Sequence, residues 1–190
     1  MLVTYTGKQI DYNNITKEMI DIRDIIHTLP RLNRFVGHSS RAYSVGEHTI
    51  YCFLMSQKLG YTIREQFLTF IHDMTETYVG DCPTPLKRLL PNFEGIESNI
   101  EKAICDYFEI EPPTEEEYKR VKRIDTTMLV IEMRDLTLHE HKNFINDSVY
   151  EEILNDKYFE LSKNNVPETL IAGMLQSNFN NLINLVKSKG

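Results

Sequence analysis

Ile71-His72-Asp73-Met74-Thr75-Glu76, continuing through Thr77-Tyr78-Val79-Gly80-Asp81 to Cys82-Pro83-Thr84-Pro85-Leu86-Lys87, is the stretch that decides how the rest of the chain reads. A His-Asp pair on an apolar helix, followed one turn later by Glu and then by a Gly-Asp turn, sets four ionisable groups where a core should be. Such groups are costly to bury without a partner, and a divalent cation is the simplest one.

The helix carrying this stretch opens at a capping box, Thr62 with Glu65, which turns Phe67, Leu68, Ile71 and His72 inward; Gly80 is expected to end it. The helix before it is capped by Ser44 and stops near Leu59-Gly60, and its stripe Val45, His48, Cys52, Met55 and Leu59 places a histidine among inward residues. Downstream, two prolines force a turn into a short helix with Leu86, Leu89 and Leu90. Ile96, Ile100, Ile104 and Phe108 mark another helix, ended by Pro112-Pro113. A second capping box, Thr114 with Glu117, starts a long helix on which Tyr118, Val121, Asp125, Met128 and Glu132 share one face, so two acids lie on a stripe that reads as buried.

Toward the N-terminus, residues 2 to 12 alternate around Thr6-Gly7 as a small hairpin. From Thr16 a helical run through Met19, Ile22, Ile25 or Ile26 and Leu29 is stopped by Pro30. Residues 31 to 42 form a loop holding Arg31, Arg34, His38 and Arg41 beside Phe35 and Gly37, which read alone is solvated surface. Beyond Leu138 the chain is polar and loosely patterned as far as Val149-Tyr150. Val166-Pro167 then begins a final helix with Leu170, Met174, Phe179, Ile183 and Val186.

A chain of 190 residues with 41% hydrophobic content supports one core, and we read 1-190 as a single domain. A net charge of -7 argues against nucleic acid or an anionic membrane as partner, while a small phosphorylated ligand needs only a few local cations. Cys52, Cys82 and Cys105 lack the spacing of a zinc knuckle or disulfide framework and suit a reducing cytosol. No apolar run approaches the roughly 20 residues of a spanning helix, so the expectation is a cytoplasmic protein. The last helix, with Leu170, Met174, Leu175, Phe179, Leu182 and Ile183, has more apolar residues than one contact face needs. Either it packs wholly on the core or a second copy covers it, as in a homo-oligomer.

His48, His72, Asp73 and Asp125 are the candidate metal ligands. A lone helical His is usually a hydrogen-bonded interior or surface residue, and Asp125 alone is an ordinary ion-pair partner. Their coincidence on three apolar stripes is what points to a shared ion. Two imidazoles and two carboxylates suit one divalent transition metal, Co, Mn, Zn, Fe or Ni, with open positions, rather than a closed structural zinc. Glu76, on the same face as His72 and Asp73, stands where a general acid or base belongs, and Asp81 just past the helix end has a catalytic place beside it. Arg34, His38, Arg41 and Lys87 offer cations for phosphate. His139 and His141 face different ways on a helix and read as surface.

Glu47-His48-Thr49, His72-Asp73-x-x-Glu76, Gly80-Asp81, Pro83-x-Pro85-x-Lys87 and the distant Asp125 resemble the HD-domain metal-dependent phosphohydrolases of the small 5'-deoxynucleotidase branch. Tyr5-Thr6-Gly7-Lys8, Ile20-Asp21-Ile22-x-Asp24-Ile25, Arg34-Phe35-x-Gly37-His38 and Tyr43-Ser44-Val45-x-Glu47-His48 are similar to compact phage-encoded members, among them dATP triphosphohydrolases that release deoxyadenosine and triphosphate. The likeness spans residues 1 to 135. It implies an all-α HD-domain fold with a small N-terminal β-hairpin, a deoxynucleotide substrate, and, for a phage-encoded protein, the host cytoplasm. It implies that His48, His72, Asp73 and Asp125 hold the metal, that Glu76 and Asp81 are catalytic, and that Arg34 and Lys87 hold phosphate. Phe35 stands where bacterial members carry Trp, keeping an aromatic platform without its N–H. HD proteins that use two metals need further histidines after the His-Asp pair, and residues 74 to 124 contain none, so one ion per chain is expected. The expected reaction is removal of triphosphate from a dNTP, with dNMP hydrolysis as the alternative and a non-catalytic nucleotide-binding metal protein as the alternative of another class.

Overall fold

A computed structural model describes residues 1–137 and 159–187. The described chain is all-α apart from one small ribbon, the architecture expected of an HD-domain helical fold. In the ribbon, β1 (Leu2–Val3) pairs antiparallel with β2 (Gln9–Ile10), Leu2 opposite Ile10. So short a ribbon needs an anchor. Asp24 supplies it, accepting from the Thr6 N–H at 2.7 Å and the Thr6 hydroxyl at 2.9 Å.

The run expected from Thr16 to Pro30 is divided. A 3-10 turn at Lys17–Met19 gives way to Asp21 in an extended conformation (φ −148°), whose carboxylate accepts from Arg23 N–H and caps α1 (Ile22–Thr28). Asp at that point favours a helix start over a helix interior. The Ser44 cap and both capping boxes form as the sequence expects, opening α2 (Val45–Lys58), α3 (Ile63–Ile71) and, further on, α7 (Glu115–Leu136). Gly46 lets α2 approach its neighbours, since a Cβ there would meet Ile171 Cγ2 and Pro30 N at 3.0 Å.

The expected helix through Gly80 is broken. After Ile71 the chain tightens into i→i+3 turns, Met74 N–H to Ile71 O and Glu76 N–H to Asp73 O, before α4 (Glu76–Val79). His72 Nδ1 lies 2.7 Å from the Thr69 carbonyl, the acceptor that a continuing helix gives to the Asp73 N–H. Gly80 ends α4 at φ +78°. The turn helix α5 (Thr84–Lys87) precedes α6 (Phe93–Phe108), and Leu86, Leu89 and Leu90 point outward instead of packing.

The main core gathers Ile25, Ile50, Phe53, Phe67, Phe70, Ile104 and Phe108 with residues of α8 (Glu168–Lys187). The inward stripe of α8 is Ile171, Leu175, Phe179 and Leu182, which leaves Leu170 and Met174 on the outside, contrary to the expected stripe. A smaller core joins Tyr43, Cys52, Met55, Ile124, Met128, Ile131 and Leu161 between α2 and α7. The candidate site lies where α2, the α3–α4 break and α7 meet. His139, His141 and Val149-Tyr150 fall outside the described residues.

Candidate metal centre

The structure brings His48, His72, Asp73 and Asp125 together from three elements. His48 Nε2 is 3.3 Å from His72 Nε2, 3.3 Å from Asp73 Oδ2 and 3.4 Å from Asp125 Oδ1, and His72 Nε2 is 3.3 Å from Asp73 Oδ2. Ligands bonded at ~2.0–2.1 Å to a tetrahedral ion sit about 3.3–3.4 Å apart, so His48, His72 and Asp73 stand at the separations one small divalent cation requires, with Asp125 at the same distance from His48. The donor set, two imidazole nitrogens with two carboxylate oxygens, fits a borderline transition metal.

The surroundings fix those donors. His48 is fully buried, and its other nitrogen, Nδ1, lies 2.5 Å from Glu132 Oε1. Burial and the Arg34 charge push the His48 imidazolium toward deprotonation, but the neighbouring Cys52, then Glu132 and the Asp125 hydrogen bond, prevail and hold its pKa well above the usual value. Burial opposes ionisation of Asp125, yet the hydrogen bond and charge of His48, with His72 and Lys122, keep its carboxyl far below the usual range. A cation that replaces the His48 proton therefore enters a site already charged to receive it.

Cys52 Sγ also lies 3.3 Å from His48 Nε2, and His48, Cys52 and His72 form a compact cluster. The same sulfur is 3.9 Å from Nδ1. Distances that similar to both nitrogens place it beside the ring face, off the line of the Nε2 lone pair, so we assign Cys52 to packing. Burial pushes its thiol up to about 11, in keeping with a neutral side chain.

No model of a known protein family matches the chain. It is 38% identical over 138 residues to the uncharacterized protein YfdR of Escherichia coli (strain K12), covering 72% of each. The chain belongs to the YfdR family. Among solved structures it is similar to the cyanophage S-2L HD phosphohydrolase DatZ, described as bound to dA and one catalytic Zn2+ ion. The two are 18% identical, over 87% of this chain and 97% of that one, with a TM-score of 0.49, a likeness that carries no functional argument here.

Beside the centre of this YfdR-family chain opens a cleft of about 600 Å³, lined by His72, Asp73, Glu76, Lys87, Lys122 and Asp125 together with residues of α6. Glu76 is 5% exposed and its Oε2 has no hydrogen-bond partner. Burial, then the negative charges of Asp73 and Asp81, push its carboxyl well above the usual range. Asp81 is raised by burial, against the pull of Arg34.

The expected cations are placed unevenly. Arg34 pairs with Glu132 at 3.1 Å and Asp73 at 3.5 Å, and Lys87 with Glu97 at 2.7 Å. Arg41 is not a phosphate ligand: it is buried in a two-point ion pair with Glu47, at 2.5 and 2.9 Å. Phe35 packs on the smaller core with the Arg34 guanidinium 5.8 Å from its ring, while His38 is exposed and lines none of the cleft. Phe35 and Val36 adopt left-handed backbone (φ 56° and 52°), costly for a β-branched residue and confined to the turn after Arg34. Lys122 and Arg88 line the cleft without having been singled out from sequence. The i−3 spacing of Lys122 to Asp125 was the available signal, as the i+7 spacing was for Glu132.

Proposed function

We propose that this chain is a one-metal phosphohydrolase of the HD type acting on deoxynucleotides, with dATP cleaved to deoxyadenosine and triphosphate as the first choice. The observation that supports it most is the meeting of His48, His72 and Asp73 at 3.3 Å from one another, with Asp125 3.4 Å from His48, beside a cleft large enough for a nucleotide. In this reading those four residues hold the ion, which would supply Lewis-acid chemistry by polarising a phosphoryl oxygen. Glu76, buried and with a free oxygen, moves the proton between the attacking water and the leaving oxygen, and Asp81 orients the water. Lys87, released from Glu97, neutralises phosphate charge from the cleft wall, and Arg34, paired with Glu132 and Asp73 behind the centre, adds its positive charge to the same field. Phe35 is the platform beside Arg34, and the exposed His38 has no role in this reading.

Loss of Arg41 as a phosphate ligand removes one of the reasons for a triphosphate substrate. Lys122 and Arg88 replace it, since both line the cleft. The ion pairs already formed by Arg34, Lys87 and Lys122 favour a second reading, a 5'-deoxynucleotidase needing fewer free cations. Chromatography of the products from dNTPs and dNMPs, with the chain loaded in turn with Mn, Co, Ni, Fe and Zn, separates the two. Triphosphate from dATP is the expected result. Free phosphate from dAMP with no triphosphate from dATP would select the nucleotidase, and nucleotide binding without turnover under every metal would leave a binding protein.

A further inference from the structure

Glu132 has no counterpart among the residues that the reaction uses, yet its carboxylate joins the parts of the centre. It is fully buried on α7, two turns beyond Asp125. Oε1 faces His48 Nδ1 at 2.5 Å and accepts from the Tyr43 hydroxyl at 2.9 Å. Oε2 accepts from Arg34 Nε at 3.2 Å and lies 3.1 Å from its Nη2 in the same ion pair, and the remaining arm of that guanidinium lies 3.5 Å from Asp73 Oδ2.

We propose that Glu132 is the positioning residue of the centre: it keeps the His48 proton on Nδ1, so that the Nε2 lone pair faces the cation, and through Arg34 it holds Asp73 in the same frame. This rests on reading His48 and Asp73 as cation ligands. Glu132 touches neither ion nor substrate and acts through those two neighbours. An imidazole presents its lone pair from whichever nitrogen is left unprotonated, and a carboxylate fixed against the other nitrogen makes that choice. A carboxylate suits the place because both oxygens must accept. In Glu132→Gln one of them becomes an NH2 group. Turned toward Arg34, it opposes guanidinium donors; turned toward His48, it donates to Nδ1 and sends the ring proton to Nε2, where the cation belongs.

The test measures Zn2+ affinity on the full chain, by competition with a chromophoric chelator, for the wild type, Glu132→Gln and Met128→Ala. Met128 is a buried neighbour on the same helix that contributes no polar atom. Glu132→Gln is expected to bind about 10–100-fold more weakly, the range found when a partner of a ligating His is removed. Met128→Ala is expected to melt lower and keep the wild-type affinity, which separates positioning from general destabilisation. Nitrogen-15 NMR of the zinc-loaded wild type should show His48 protonated at Nδ1 and ligated through Nε2, an observation that holds even if Glu132→Gln fails to fold. Wild-type affinity in Glu132→Gln, or ligation of His48 through Nδ1, would overturn the proposal. A wild type that binds no zinc would instead overturn the reading of the centre on which it rests.

Discussion

The two sides of the centre treat buried charge in opposite ways. On the inner side His48, Glu132, Arg34 and Tyr43 are nearly or fully enclosed, and each finds a partner between 2.5 and 3.2 Å. On the cleft side Glu76 has an oxygen with no partner, and both it and Asp81, which does not itself line the cleft, hold protons beyond the usual carboxyl range. Saturated charge rigidifies, and unsaturated charge with a displaced pKa is what proton transfer needs. Under the proposed function, the inner side is the one that positions and the cleft side the one that carries the chemistry.

That contrast breaks most visibly at a ligand. Asp73→Asn should lose metal and activity together, the rate falling by about a thousand-fold or more, as expected when several kcal/mol of Lewis-acid stabilisation are removed. Metal analysis beside a turnover assay checks both. Glu76→Ala should instead keep its metal and lose about 10²–10⁴-fold in kcat, the usual range for a general acid or base. Full activity in that variant would place the proton transfer elsewhere.

Stability separates the sides in a different way. Glu47→Ala leaves the Arg41 charge in a nearly closed site with only the Ser162 and Ala42 carbonyls as partners and should cost about 3 kcal/mol by denaturant unfolding. Glu76 acts in the opposite direction. Its folded pKa lies above the unfolded value, so the folded chain binds more protons and its stability falls as pH rises from the unfolded pKa through the folded one. Metal-free Glu76→Gln should therefore match the wild type in acid and melt higher at neutral and alkaline pH, by about 2–4 °C if ~1 kcal/mol is recovered in a chain of this length. An equal melting temperature across that range would show that the carboxylate is not strained by burial.

Much of the frame was legible because its signals are local. Ser44, Thr62 with Glu65, and Thr114 with Glu117 act within one helical turn, and all three caps form. The meeting of His48, His72, Asp73 and Asp125 was signalled by His48 and Asp125 each interrupting an apolar stripe and by the adjacent His72-Asp73 pair on a third helix. What escaped depends on partners distant in sequence or on competition for one backbone atom. Glu132 stood out only as a second acid on its helix, because His48 lies 84 residues away. Arg41 read as a free cation although Glu47 lies only six residues on, because the pair joins a loop to a helix start and follows no fixed helical or strand spacing. The helix break after Ile71 turns on a His72 side chain taking the Thr69 carbonyl, which hydrophobic periodicity does not register.

The most direct test of the central claim is the metal content of the purified wild-type chain after stripping and reloading with Zn2+, Co2+ or Mn2+, by mass spectrometry against protein concentration. Four ligands around one point predict one equivalent per chain, lost in Asp125→Asn. No bound metal, or two equivalents held independently of Asp125, would contradict it.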